Sequence, residues 1–277
     1  MKSRKSKPSF ACKDIIGNHP SKHPFGKFTQ SSDGFSNNGV PHRTIFEIEE
    51  HRDQIVTCLR DALVQHHASP EAIERDKRRR EAMLRLGFEA QQSRISHFPI
   101  SPSTRKGNLG EVFLAEYLKV SADIELPVYR LRYNPNIDQS MKGDDVLAFD
   151  FDSEPVRIIV GESKFRTTPS KAAVVKIVEG LVNSHKGGIP VSLQFVADRL
   201  FESGKEALGE KVLDCVKLLV IDRLRLDYVG LLMGDNRCAQ RISEHAECAL
   251  HRLVMISFGI NDPESLIEPC YCDLEDI

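Results

Sequence analysis

Apolar and polar residues alternate with two different periods along the chain, which separates a helical front part from a part that mixes strands and helices. After Thr44 the apolar residues recur at helical spacing, and Thr44 with Glu47 has the form of a capping box, which predicts a helix there. A second helix is predicted from Pro70, because proline is favoured at the first helical position. Residues 1–42 show no steady period and are rich in Ser, Lys, Asn, Gly and Pro. They are therefore predicted to be a mobile or partner-dependent arm, followed by a helical N-terminal region over residues 43–100.

Strand and helix signals alternate through residues 101–265, which we interpret as one domain. The pattern predicts a helix, three strands, a helix and a strand, over residues 107–119, 126–133, 146–151, 156–161, 171–185 and 191–197. This αβββαβ order is typical of an α/β fold with one mixed sheet flanked by helices. A further helix, strand, helix and strand are predicted over residues 205–221, 228–233, 239–250 and 253–258. Residues 266–277 are interpreted as a frayed acidic tail.

Composition and charge narrow the class of protein. Of the 277 residues, 40% are hydrophobic, enough to bury a sizeable core. No run approaches the roughly 18 apolar residues of a membrane span, and no signal peptide follows the basic N-terminus. Seven scattered cysteines are typical of reduced thiols in a cytoplasmic protein. Residues 1–110 carry 19 basic and 12 acidic side chains, against 19 and 28 in residues 111–277. The basic front half would suit a nucleic-acid contact, but the charge asymmetry alone is weak evidence for one.

Candidate chemistry is concentrated in the predicted hairpin. A four-residue turn over 152–155 pairs residues whose numbers sum to 307, which sets Asp145 opposite Glu162. Lys164 shares the face of Glu162, since strand side chains alternate, while Asp144 falls on the other face. A turn longer or shorter by one residue would exchange the two aspartates. Asp144 therefore stays open as an alternative to Asp145.

Directly opposed carboxylates repel each other, so this pair needs a cation. A hard divalent ion with oxygen ligands, Mg²⁺ or Mn²⁺, is the simplest one. Glu111 lies on the apolar stripe of the preceding helix with Leu114 and Leu118, and a metal site would give this acid a partner. Lys164 beside the metal would orient or deprotonate an attacking water.

Each of these motifs alone also has an ordinary structural explanation. Paired aspartates often end a turn, and Glu-x-Lys on a strand is often a surface ion pair. However, Glu162 and Lys164 directly follow the apolar run 156–160, which is typical of a strand covered on both faces. A charged pair at the end of such a strand, opposite an acid, favours a functional site.

A helical Glu, an Asp, and Glu-x-Lys across a hairpin in an αβββαβ core resemble the PD-(D/E)xK nuclease superfamily. The stretches RKGNLGEVFLAEYL, GDDVLAFDF, GESKFR and HRLVMISFGINDPESL resemble more closely the nuclease subunits of Hachiman anti-phage defence. The resemblance implies a restriction-endonuclease-like core and a metal-dependent DNase that hydrolyses phosphodiester bonds under the control of a helicase partner, HamB. Its metal ligands would be Glu111, Asp145 and Glu162, and its catalytic lysine Lys164. Asp144 stands where the superfamily pattern has proline.

Basic residues that follow the Glu-x-Lys strand are candidate DNA contacts. Arg166, Lys171 and Lys176 would grip phosphates, although a solvated helix start and face explain them equally well. His185 ends the next helix and either points toward the site or complements the helix dipole. The alternative function is a catalytically silent subunit on a nuclease fold, which docks a helicase or DNA through the basic N-terminal half.

Overall fold

A six-stranded mixed β-sheet forms the centre of the protein in the computed structural model, which describes residues 10–88, 96–184, 188–247 and 249–274. In spatial order the strands are β1-β2-β6-β5-β4-β3. The two outer pairs, β1–β2 and β3–β4, are antiparallel, and the three inner pairs are parallel. The strand bounds are Thr29–Phe35 (β1), Pro41–Glu47 (β2), Val146–Asp150 (β3), Val156–Arg166 (β4), Leu224–Gly234 (β5) and Leu253–Gly259 (β6).

Helices cover both faces of this sheet, so the predicted α/β class with a mixed sheet is confirmed. Their bounds are Lys13–Ile16 (α1), Pro24–Lys27 (α2), Arg52–His67 (α3), Pro70–Arg85 (α4), Pro102–Ser121 (α5), Lys171–Ser184 (α6), Leu193–Glu202 (α7), Glu206–Val220 (α8), Cys238–His245 (α9) and Pro263–Tyr271 (α10). Short 3₁₀ turns occupy Glu49–His51 and Arg130–Tyr133. Within the described residues, none of these helices combines the length and apolar character that crossing a membrane requires.

The sheet separates two hydrophobic cores. On one face, Ile159, Val229 and Ile256 pack with apolar residues of α3, α5 and α10. On the other face, Val160 and Leu232 pack with residues of α6, α7, α8 and α9. Strand side chains alternate between the faces, so β4 and β5 contribute to both cores and read as nearly continuous apolar runs.

The hairpin β3–β4 has the predicted register. In all five residue pairs, from Val146 with Gly161 to Asp150 with Arg157, the two residue numbers sum to 307. Beyond Gly161 the strand β4 continues to Arg166, paired only with β5. Because β3 begins only at Val146, residues 162–166 at the end of β4 have no neighbouring strand on the β3 side. This open edge lies where the charged residues of β4 occur.

The structure corrects the prediction of an arm over residues 1–42 and of a helix from Thr44, except for residues 1–9, which lie outside the described part of the chain. Residues 29–35 and 41–47 form β1 and β2, and β2 pairs in parallel with β6. Thr44 lies inside β2, and the helix starts only at Arg52. The buried Arg43 makes a bidentate ion pair with Asp33, at 2.6 and 2.7 Å. Local pattern could not show this, because the partner strand of β2 lies about two hundred residues away.

Three further predicted elements are wrong. Residues 126–133 form an extended segment and a 3₁₀ turn instead of a strand, with a single bridge from Glu125 to Phe149. Residues 191–197 contain the start of α7, whose buried positions Leu193, Val196, Ala197 and Leu200 follow helical spacing. The acidic tail is not frayed over residues 266–274, because α10 buries Tyr271 and Leu274 completes that core. Residues 275–277 lie outside the described part.

Candidate active site

An open cleft of about 470 Å³ lies along the unpaired edge of β4. Glu111, Asp145, Glu162 and Lys164 all line it, so the fold brings the four predicted residues to one place. They come from α5, from the residue before β3, and from the end of β4. The remaining wall is formed by the start of α5 and by residues 140–143.

Glu111 is the most deeply buried acid of the cleft. It lies on α5 with 6% of its surface exposed, and its Oε1 is 3.0 Å from Nε of Arg130. The pKa of Glu111 is raised to about 8, mainly by burial and in part by the nearby carboxylates of Asp145 and Glu162, against the lowering effect of Arg130. Oε1 makes no hydrogen bond within the described part of the chain, so this acid has spare capacity to accept a ligand.

Glu162 and Lys164 form an ion pair with each other along the end of β4. The carboxylate of Glu162 lies against Gly180 of α6, where a Cβ atom would come within 2.9 Å of Cδ. Burial raises the pKa of Glu162 to about 7, with a contribution from Asp145 and an opposing one from Lys164. Lys164 also donates to the carbonyl oxygen of Ser163 at 3.0 Å. The ammonium group of Lys164 is therefore held beside the carboxylate of Glu162, the second member of the predicted Glu-x-Lys pair.

The two aspartates before β3 have different surroundings. Oδ2 of Asp145 accepts hydrogen bonds from the backbone N and the Oγ of Ser163, at 2.8 and 3.0 Å. Asp144 is 3% exposed and its Oδ2 accepts from the backbone N of Ser192 at 2.9 Å, while its own N donates to Oγ of Ser192 at 2.7 Å. Only Asp145 belongs to the cleft wall. The geometry therefore favours Asp145 as the candidate ligand and gives Asp144 a structural role.

Arg130 is a member of the site that sequence analysis missed. Besides Glu111, its guanidinium contacts the carbonyl oxygen of Asp144 and donates to that of Met141 at 2.8 Å. It thus ties α5 to the segment that leads into β3. The alternating residues 129–133 imitate a strand, and nothing in that local pattern indicates an arginine aimed at a buried acid. Lys142 and Asn108 also line the cleft without having been predicted.

The carboxylates reach the cleft from different sides of β4. Glu162 faces α6 through Gly180, whereas Gly110 of α5 lies against Ser163 and Phe165 on the opposite face, the side from which Glu111 approaches. Across the described ranges, no three His, Cys, Asp or Glu side chains are grouped so that they could hold a metal ion. Each acid is instead bound by its own protein partner. The donor set of three carboxylates suits a hard divalent cation, but binding one requires these acids to leave Arg130 and Lys164.

The predicted DNA contacts are distributed unevenly. Arg166 lies in the cleft wall, at the end of β4. Lys171 and Lys176 are exposed on α6 and are not part of that wall. His185 lies outside the described residues. The cleft therefore has two exposed cations, Lys142 and Arg166, next to its acids.

Comparison with known proteins places these features in a family. Residues 23–274 match the family model described as HamA. The chain is 36% identical over 259 residues to the Hachiman protein HamA of Bacillus cereus, an alignment that covers 93% of each chain. Both matches extend across the sheet, α5 and every residue of the cleft. The chain therefore belongs to the HamA family of the Hachiman anti-phage defence system.

Proposed function

We propose that the protein is a metal-dependent DNase that hydrolyses phosphodiester bonds and acts as the effector of Hachiman defence. The observation that carries this proposal is the meeting of three carboxylates and a lysine, from α5, the start of β3 and the end of β4, in one cleft. Two of the acids have a pKa raised by burial and by the neighbouring carboxylates. Such a concentration of perturbed acids in a cleft is typical of catalytic sites and supports the proposal.

Glu111, Asp145 and Glu162 are the residues that would hold Mg²⁺ or Mn²⁺. When bound, the metal supplies positive charge for the scissile phosphate and lowers the pKa of a coordinated water. Once deprotonated, the three acids are negatively charged oxygen donors in a partly dry site, where the attraction for a divalent ion is stronger than in water. Asp145 is already oriented by Ser163. Glu111 and Glu162 must exchange their cationic side-chain partners for the metal.

The chain's own cations have separate tasks. Lys164, once released from Glu162, places its ammonium group beside the attacking water and the phosphate oxygens, where it stabilises the charge that develops. Lys142 and Arg166, which line the same cleft, bind the phosphates that flank the scissile one. Arg130 stays anchored to the carbonyl oxygens of residues 141 and 144 and keeps the walls of the cleft together.

The test is a nuclease assay on supercoiled plasmid and on single-stranded circular DNA, with Mg²⁺ or Mn²⁺. We expect cleavage by the wild-type protein, and at least a hundredfold loss in Glu162→Gln and Lys164→Ala proteins that keep the wild-type melting temperature. Glu179→Gln, an exposed glutamate on α6, is the matched control and should cleave normally. Full activity in the Glu162→Gln or Lys164→Ala protein would overturn the proposal.

Regulation by a helicase partner, HamB, is the second part of the proposal, and family membership supports it. The isolated chain and the chain purified with the helicase should therefore be assayed side by side. We expect the complex to be less active than the isolated chain until DNA engages the helicase. An isolated chain and a complex that cleave equally under every condition would contradict this control.

A catalytically silent subunit is the second candidate function. It is favoured by one observation, the lack of a metal-ready group of acids among the described residues. In that case the basic front half would be the working surface, including Lys77, Arg78 and Arg79, which are exposed on α4. Calorimetry with Mn²⁺ separates the two candidates. Metal binding that is lost in Glu162→Gln supports the nuclease, and no heat from either protein supports the silent subunit.

A further inference from the structure

A second groove, of about 500 Å³, lies between residues 124–133 and the turn that joins α7 to α8. Leu126, Pro127 and Val128 contribute apolar surface to it, and Ser203, Lys205 and Leu208 line the opposite side. None of the proposed catalytic residues belongs to this groove. Its properties therefore call for a separate explanation.

Positive charge dominates the groove. Lys119, Arg132 and Lys205 line it, against Glu125 as the acid of the wall. Lys119 is paired with Glu116 at 3.0 Å, so the excess positive charge comes from Arg132 and Lys205. Nε and Nη2 of Arg132 donate to the carbonyl oxygen of Gln65, at 2.9 and 2.6 Å. This partner is neutral, and Glu71 offsets the charge of the half-buried guanidinium only through a longer-range interaction, without a direct ion pair among the described contacts. Lys205 is exposed at the rim. The groove thus attracts anions.

Two tyrosines are fixed among these cations. The ring of Tyr129 has the Arg132 guanidinium 4.6 Å from its centroid, and its hydroxyl accepts a hydrogen bond from Gln65 at 2.8 Å. Tyr133 is 36% exposed, and its ring meets Phe195 edge to face at 6.0 Å. The guanidinium of Arg199 lies 5.4 Å from the Tyr133 centroid. These contacts hold the aromatic rings in place without covering Tyr133.

We propose that this groove binds single-stranded nucleic acid. Cationic grooves with fixed aromatic side chains bind single strands because the cations follow the backbone and the rings stack on the bases. A duplex hides its base faces and would offer the tyrosines nothing to stack on. The site is separate from the proposed hydrolysis. Binding can be measured with the metal removed, so it can fail or succeed independently of cleavage.

The experiment is fluorescence anisotropy with a fluorescein-labelled 20-nucleotide oligo(dT), in EDTA, titrated with wild-type, Tyr133→Ala and Lys205→Gln proteins of equal melting temperature. Base stacking on one aromatic ring corresponds to about a 5- to 150-fold change in affinity, and we expect Tyr133→Ala to lose at least 5-fold. Lys217→Gln, which removes an exposed cation on α8 that does not line the groove, is the matched control and should bind as the wild type does.

Salt dependence distinguishes the two kinds of contact. One lost phosphate contact lowers the slope of log affinity against log salt by about 0.7 for a single strand. We expect that change in Lys205→Gln and an unchanged slope in Tyr133→Ala. Wild-type affinity in both variants would overturn the proposal. A second result would also overturn it: poly-glutamate that binds as tightly as oligo(dT) and loses the same affinity in Tyr133→Ala. The occupant of the groove would then be an acidic polypeptide.

Discussion

The Nε atom of Arg130 lies 3.0 Å from Oε1 of Glu111, so the most buried acid of the cleft is already paired with a cation of the protein. Both side chains are largely shielded from water, with 12% and 8% of their surface exposed. A buried carboxylate requires a cation nearby. The pair thus shows how the site is stabilised without a metal, and it identifies a competitor that an incoming metal must displace.

Replacing Arg130 by glutamine should therefore strengthen metal binding. The variant removes the competing charge, while its amide can still donate to the backbone carbonyls that Arg130 contacts. We expect an increase of about tenfold in Mn²⁺ affinity by calorimetry, corresponding to about 1.4 kcal/mol. Arg130→Lys, which keeps the charge, should bind Mn²⁺ as the wild type does. Weaker binding in Arg130→Gln than in Arg130→Lys would mean that Arg130 supports the metal instead of competing with it.

The two aspartates before β3 should separate function from stability. Asp145→Asn removes the carboxylate that lines the cleft, so we expect loss of Mn²⁺ binding and of DNA cleavage with little change in unfolding free energy. Asp144→Ala leaves the N–H of Ser192 without its acceptor, which costs about 1–3 kcal/mol. Urea denaturation and calorimetry on both variants check this assignment. Metal binding that survives Asp145→Asn and disappears in a folded Asp144→Ala protein would exchange the two roles.

How far the sequence predicted this site depends on the range of the interactions involved. The hairpin β3–β4 is local, so its turn length was enough to give the register. The predicted pairing of Asp145 with Glu162 is not formed, because the ladder ends at Val146 with Gly161 and Asp145 is bound to Ser163. The stripe on α5 identified Glu111. Arg130 was missed because its position follows from the path of the segment 124–133 over α5, a tertiary feature with no local signal.

The N-terminal strands show the same limit on the scale of the fold. Thr29 to Glu47 form an antiparallel pair at one edge of the sheet, and β2 pairs with β6. Their sequence is rich in polar and turn-forming residues, a composition that by itself predicts a disordered arm. What stabilises them is burial against distant elements, including the hydrogen bond from Arg43 to the hydroxyl of Tyr117 on α5 at 3.2 Å. Local propensity is a weak guide where such contacts decide the outcome.

Stability should fall as the solution is acidified, and His42 should account for part of the loss. Burial lowers the pKa of His42 from 6.5 to about 4. Between these values the unfolded chain binds a proton that the folded chain does not, so stability present above pH 6.5 is lost as the pH falls through 4. At pH 5 the loss is about 2 kcal/mol. Urea denaturation at pH 7.5 and 5.0 should show a smaller difference in His42→Gln than in the wild type.

The exposed His251 provides the control for that measurement. His251→Gln should keep the full wild-type difference between pH 7.5 and 5.0. An identical pH dependence in the wild type and in His42→Gln would show that other groups are responsible. In that case His42 would be protonated in the folded state and would donate the 2.9 Å hydrogen bond from its Nε2 to Oγ of Ser257.

Gly180 offers the sharpest separation of activity from stability. A methyl group at this position would lie 2.9 Å from Cδ of Glu162 and 3.1 Å from its Oε1, so the carboxylate must move. The displaced group is the end of a flexible side chain, and alanine is favoured over glycine in a helix by about 1 kcal/mol. Gly180→Ala should therefore be as stable as the wild type or slightly more stable, with Mn²⁺ affinity at least tenfold weaker and cleavage reduced in parallel. Gly107→Ala, on α5, is the matched control for the stability effect of alanine in a helix, because no neighbouring side chain lies within 4 Å of the added methyl. Unchanged metal affinity in Gly180→Ala would show that Glu162 does not need its observed position, and would remove it from the proposed ligand set.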